Sequence, residues 1–401
     1  MTNEKKTSTH KRSYSAVLLL LLLAAALLLS ACGGADPKNT AGEPTQGTSG
    51  TQNAVADTER VEDTYRIEDD TTEASAADEL HIVPTAASAL KLVEKDTEAF
   101  TMQIPEGWEM RYGWDGEKML LIRVYDPENP VNQIFYATDM VPFMKSQASA
   151  DEYAVTGMTA FSEAPILDPP TNETLFRQIP KLRAYYSDTM KMKAAAEMIP
   201  EIYDFELLET LAADSAFNDG SLDDSILYGT FTTADGSVEG EGIGFASIVD
   251  LFGALPSPLS GVDLAYYNVY NFTIITAAKD EFVNYEKLLC QSFSSLSMKQ
   301  EFIDQTLQNS AESFAALQKI NASITASYYS YNAAWLGRSQ SADIARQKWS
   351  DATLGYERVY DTDTGAVYKA YNGFTDEYDG SRYQPITDDM YAWGWSGYIE
   401  K

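Results

Sequence analysis

Between Gly33 and Glu79 the chain carries one aromatic side chain, Tyr65, and twelve acidic residues against three basic ones. No core can be built from the Gly, Thr, Ala, Asp and Glu that dominate this stretch, and its like charges repel one another, so it reads as an extended, solvated tether. As a flexible coil it spans roughly 35 to 40 Å. Folding is thereby confined to Leu80 and beyond, a length that suits one large core or two domains.

Ahead of the tether, Lys5, Lys6, Lys11 and Arg12 lead into an apolar run from Ala16 to Leu29, followed by Ser30, Ala31 and Cys32. A helix of that length covers about 21 Å, short of a hydrocarbon core of roughly 30 Å, which favours a signal peptide over a retained span. Leu29-Ser30-Ala31-Cys32 resembles the lipobox of bacterial lipoproteins. The resemblance implies cleavage before Cys32, a diacylglycerol on its thiol, and a body held at the membrane outside the cytoplasm. Two or three acyl chains suffice for such anchoring where a single myristoyl chain is marginal. Residues 1–31 are then signal peptide and 32–79 lipidated tether.

The formal net charge of −31 repels phosphate backbones and argues against a nucleic-acid partner, while favouring cationic partners or divalent metals. Of the two cysteines, Cys32 is committed to lipid, and Cys290, in "YEKLLCQSF", has the apolar setting of a buried structural thiol. Of the two histidines, His10 leaves with the signal peptide and His81 sits where tether meets fold. Ser-His-Asp, Cys-His and zinc hydrolases are poorly served by that inventory. "GVDLAYY" and "GEGIG" lack the lysine and helix start of a phosphate loop. A glycan hydrolase needs only two carboxylates, for which 60 acidic residues supply candidates without identifying a pair. The chain is accordingly read as a binding protein without a cofactor beyond its lipid.

From Phe100 to Val141 the pattern predicts a strand and then a hairpin turning at "DPENPVN". A helix is expected over Leu175 to Met192, a strand near Phe205 to Leu211, a hairpin pairing Ile226–Thr232 with Gly242–Ile248, a buried strand in "LAYYNVYNFTIITA", and a helix from Phe282 to Phe293. "IPEGW" at 104–108 and "DEFVNYEKLLCQSFSSLSM" resemble the opening and closing of the PsbP-like fold, named for the photosystem II extrinsic subunit. The resemblance implies an α+β unit over 80–298, an antiparallel sheet flanked by helices, in a family whose members mostly bind partners.

From Lys299 to Leu336 there is neither Pro nor Gly, and Ile303, Leu307, Phe314, Leu317, Ile324, Tyr328, Tyr331 and Trp335 recur at helical spacing. That predicts one long amphipathic helix, then a short helix over Ser341 to Trp349, together forming 299–350. Residues 351–401 hold eleven aromatic side chains and period-two runs, the mark of a small β unit. "RSQSADIARQKWSDATLGYERVYDTDTGAVYKAY" looks like the C-terminal part of uncharacterised secreted lipoproteins of Gram-positive bacteria.

Two features there bear on ligands. Asp361 and Asp363, ahead of Gly365, begin like a calcium loop, but position twelve is Asn372, so a tight turn is the preferred reading. Trp393 and Trp395 share a face if they lie on a strand, framed by Tyr391 and Tyr398, and form either the core of the unit or a platform for a sugar or a partner. The function expected is binding of a cell-envelope protein, with carbohydrate binding and, more remotely, glycan hydrolysis as alternatives.

Overall fold

The computed structural model describes residues 80–114, 119–212, 220–309 and 340–401. All of them belong to one compact unit, Ser75–Lys401. Its first elements are β1 (His81–Pro84), the one-turn α1 (Ala86–Ala89), β2 (Leu92–Asp96), β3 (Phe100–Pro105), β4 (Glu109–Trp114), β5 (Leu120–Tyr125) and β6 (Gln133–Met144). A helical layer follows: α2 (Gln147–Thr156), α3 (Thr159–Ser162), α4 (Asn172–Arg177), α5 (Ile179–Ala184), a π-helical turn (Tyr185–Thr189) and α6 (Lys193–Met198). The chain returns to sheet with β7 (Tyr203–Leu211), β8 (Ser221–Asp223), β9 (Ile226–Thr232), β10 (Glu239–Val249) and β11 (Tyr266–Ala278). Next come α7 (Phe282–Ser294), β12 (Ser297–Met298), α8 (Gln300–Asn309) and α9 (Gln340–Leu354). The last elements are β13 (Tyr356–Asp361), β14 (Val367–Tyr371), α10 (Phe374–Glu377), β15 (Tyr383–Pro385), a 3-10 turn (Asp388–Ala392) and β16 (Gly397–Glu400).

The fold is α+β and mostly antiparallel. An eight-stranded sheet runs β4-β5-β6-β11-β10-β9-β7, with β8 paired to β10. Strand alternation divides its side chains between two cores. Leu120, Ile122 and Val124 of β5 point to the side where α7 contributes Phe282, Leu289 and Phe293. Leu121, by contrast, joins Leu175, Phe176, Ile179 and Leu182 of the helical layer. Because both faces are covered, β11 is buried almost throughout instead of alternating between buried and exposed positions. A smaller sheet, β12-β3-β2, lies beside it, and Cys290 is buried in the α7 core.

The helix expected over Leu175 to Met192 is divided. Pro180 occupies the first turn of α5, where its missing N–H costs nothing, so a new helix starts there instead of α4 continuing. Of the long helix expected from Lys299, α8 is the described part, and its apolar stripe from Phe314 to Trp335 lies outside the described residues. So do Cys32, the signal peptide and the tether. The short helix expected over Ser341 to Trp349 extends to Leu354.

The C-terminal sheet has five strands in the order β1-β16-β14-β13-β15. His81 to Pro84, placed by sequence at the head of the 80–298 unit, pairs antiparallel with Gly397 to Glu400. Both ends of the described chain thus build one sheet. Trp393 and Trp395 do not lie on a strand: the 3-10 turn ends at Ala392 and β16 begins only at Gly397.

Candidate functional site

Arg358 of β13 and Lys369 of β14 are direct cross-strand partners. Two cations so placed repel each other. Asp351, at the end of α9, lies between them: its Oδ2 is 2.6 Å from Arg358 Nε and its Oδ1 pairs with Lys369 Nζ at 2.9 Å. All three side chains are at least 95% removed from solvent. Burial pulls the Lys369 ammonium below its ordinary pKa, and Asp351 only partly offsets it.

This triad disposes of the predicted aromatic residues. Lys369 Nζ lies 3.5 Å from the Trp395 ring centroid and Arg358 Cζ 4.9 Å from it, cation–π contacts in a desolvated setting. Arg358 Nη1 donates to the carbonyls of Tyr391 and Trp393, fixing the turn that carries them. Trp395 is interior, and its backbone N–H donates to Asn284 Oδ1 of α7 at 3.0 Å. Trp393 is 45% exposed. Tyr398 packs against Tyr356, ring centroids 5.6 Å apart. The structure therefore separates the two tryptophans instead of placing them on one face.

Where α9 meets the large sheet, a small cleft is lined by Tyr228, Glu241, Glu286, Arg346 and Tyr391 among others. Glu241 accepts from the Tyr228 hydroxyl, pairs with Arg346 Nη1 at 3.3 Å, and receives the Asp280 backbone N–H at 3.4 Å. Arg346 also donates to the Tyr228 hydroxyl at 3.1 Å. The Glu241 carboxylate thereby ties the C-terminal elements to β9 and β10.

Asp361 and Asp363 form the turn that the spacing favours. Asp361 is fully buried and accepts from the Asp363 N–H, the Thr364 hydroxyl and, in a fork, from Arg382 Nε at 3.0 Å and Nη2 at 2.8 Å. Gly365 follows at φ +76°, a conformation that favours glycine. The Arg382 guanidinium holds the Asp361 carboxyl well below the ordinary range. Among the described residues, no group of three or more His, Cys, Asp or Glu side chains is arranged around a metal position. His81 is exposed, 3.1 Å from Glu400 Oε2.

One surface escaped the sequence reading. The connection from β10 to β11 exposes Leu251, Phe252, Leu255 and Leu259, the last at 67%, and Val155 and Met158 are exposed at the end of the adjoining α2. This connection is held in place. Lys145 pairs with Asp250 at 2.6 Å and Asp263 at 3.3 Å, the Leu255 N–H donates to Asp263, and the Tyr153 hydroxyl donates to the Leu264 carbonyl. Tyr153 stacks on Phe161, and tilted ring contacts continue from Phe161 to Tyr266 and from Tyr266 to Phe252. The signal available in "DLFGALPSPLSGVDL" was large apolar residues among Pro, Gly and Ser, with neither helical nor strand period to bury them.

No protein-family model matches the chain, and no curated protein matches it significantly.

Proposed function

We propose that the chain is a membrane-anchored lipoprotein, acylated at Cys32, whose PsbP-like body binds a cell-envelope protein outside the cytoplasm. The observation that carries the binding reading is the fixed apolar surface of Leu251, Phe252, Leu255 and Leu259. Clustered large apolar residues on a surface mark interaction sites, and a segment already held by ion pairs loses little entropy on docking. A sheet covered on both faces, with α7 on one side and α4 to α6 on the other, supports the PsbP-like comparison.

The surroundings of the surface name the partner's chemistry. Asp151, Glu152, Asp250 and Asp263 flank it, and Lys145 is committed to two of them. A protein face with apolar side chains ringed by Lys and Arg complements it, whereas an anionic bilayer does not.

The test is photo-crosslinking in intact cells from Leu259, with the same crosslinker at exposed Glu94 as reference. One discrete adduct with an envelope protein from Leu259, abolished by Phe252→Asp, is the expected result. Adducts of the same pattern from both positions, or none from Leu259, would overturn the reading.

A further inference from the structure

Acidic residues outnumber basic ones 60 to 29 in this chain, so an arginine here finds a carboxylate easily. Among the described residues, Arg177, Arg183, Arg346, Arg358 and Arg382 all do so. Arg111 and Arg123 are the two that do not. They are direct cross-strand partners on β4 and β5. Like charges so opposed destabilise a sheet.

Their surroundings keep them together. Ile122 and Val124 point to the α7 core, so Arg123 and Tyr125 lie on the opposite face, beside α6. Arg123 Nη1 donates to the Glu197 carbonyl at 3.0 Å, and its buried Nε has no hydrogen-bond partner. The guanidinium carbons of Arg111 and Arg123 lie 5.7 and 5.0 Å from the Tyr125 ring centroid. Two carboxylates of the neighbourhood are engaged: Glu109 accepts from the Tyr125 hydroxyl, and Glu201 pairs with Arg183 at 3.1 Å. Burial first, and then the charge of Arg183, lower the Arg123 pKa to about 10. A cation disfavoured in the empty fold is stabilised by an anion.

We propose that Arg111 and Arg123 form a binding site for a phosphate group, free or as a small monoester, on the β4–β5 edge of the large sheet. Two guanidiniums on directly paired strand positions, both packed against the Tyr125 ring, match the charge and the several acceptor edges of a phosphate dianion better than those of a single carboxylate, and carboxylates already present nearby leave them unpaired. The site is separate from the apolar surface and does not depend on the lipoprotein reading.

Calorimetric titration of the full-length protein in an uncharged detergent, at low ionic strength and slightly alkaline pH, tests it. Inorganic phosphate and glycerol phosphate serve as separate probes, and acetate as the carboxylate control. Saturable one-to-one binding of either phosphate probe supports the proposal, and the tighter of the two assigns the site to the free ion or to an ester. Arg111→Gln should weaken that binding about tenfold or more without lowering the melting temperature of the unliganded protein, because Arg111 makes no hydrogen bond within the described residues and its charge opposes that of Arg123. Arg123→Lys, which keeps the charge and loses the fork, should weaken it less than Arg111→Gln with Arg123→Lys combined. Absence of saturable phosphate binding, equal affinity in Arg111→Gln, or acetate binding as tightly as phosphate would overturn the proposal.

Discussion

At the scale of single residues, one carboxylate holds two buried cations together in the C-terminal sheet. Asp351 lies between Arg358 and Lys369 with all three removed from water. Removing the shared partner leaves two adjacent buried cations uncompensated, so Asp351→Ala should cost about 3 to 5 kcal/mol of stability. Urea unfolding at neutral pH measures this. A loss within the few tenths typical of a surface substitution would mean that water reaches the cluster. Asp361 makes a different prediction, in pH. Its folded-state pKa is depressed, chiefly by Arg382, so the stabilisation it gives is complete above the unfolded value near pH 4 and is lost as the pH falls toward the folded one. The gap in urea midpoint between wild type and Asp361→Asn should therefore be wide at pH 7 and narrow from about pH 4 downward. A gap independent of pH would assign the role of Asp361 to shape alone.

At the scale of elements, glycines set how closely aromatic rings approach the sheet. In β10 a Cβ at Gly244 would overlap the Phe176 ring, and one at Gly240 would overlap that of Phe231. "EGEGIG" is thus a strand whose missing side chains admit rings from α4 and β9, in keeping with the absence of phosphate-loop features in its sequence. Gly244→Ala should destabilise by about 1 to 3 kcal/mol as Phe176 is displaced, and Gly236→Ala, at a turn with open space, should act only through its backbone. Comparing unfolding midpoints of the two variants separates packing from backbone strain. The strands and helices here were legible because their signals are local: β9 and β10 from alternation around "ADGS", α7 from its apolar face, β11 from a run rich in aromatic and β-branched residues. Pairing of "HIVP" with Gly397–Glu400 left no local trace, since four residues carry too little pattern to name a partner 300 residues away. Asp351 in "KWSDATL" gave equally little sign, because an acidic residue on a helix is ordinarily solvated. The apolar surface was hidden for the opposite reason: its residues lack a period, and periodicity reports burial, not exposure.

At the scale of the whole molecule, the C-terminal β unit is bound to the α+β body by more than proximity in sequence. β1 is built into its edge, the Trp395 N–H reaches Asn284 of α7, and Arg346 of α9 pairs with Glu241 of β10. Each link joins residues 80–298 to the chain beyond residue 298 and would break if either part opened alone. The expectation is a single unfolding transition for the described body, with amide exchange in β13 and β14 protected to the same free energy as exchange in β6 and β11. Arg346→Ala supplies the control. If that ion pair couples the parts, its loss should lower the protection of β13 and β14 more than that of β6 and β11. Were the C-terminal sheet to exchange at lower free energy in the wild type already, the two parts would be separate folding units that share a strand, and truncation after Ser350 would leave a stable α+β body. With coupling intact, the same truncation removes the partner strand of β1 together with Asp351 and Arg358. It should then reduce the unfolding midpoint of the remaining chain, because the loss reaches α7 through Asn284.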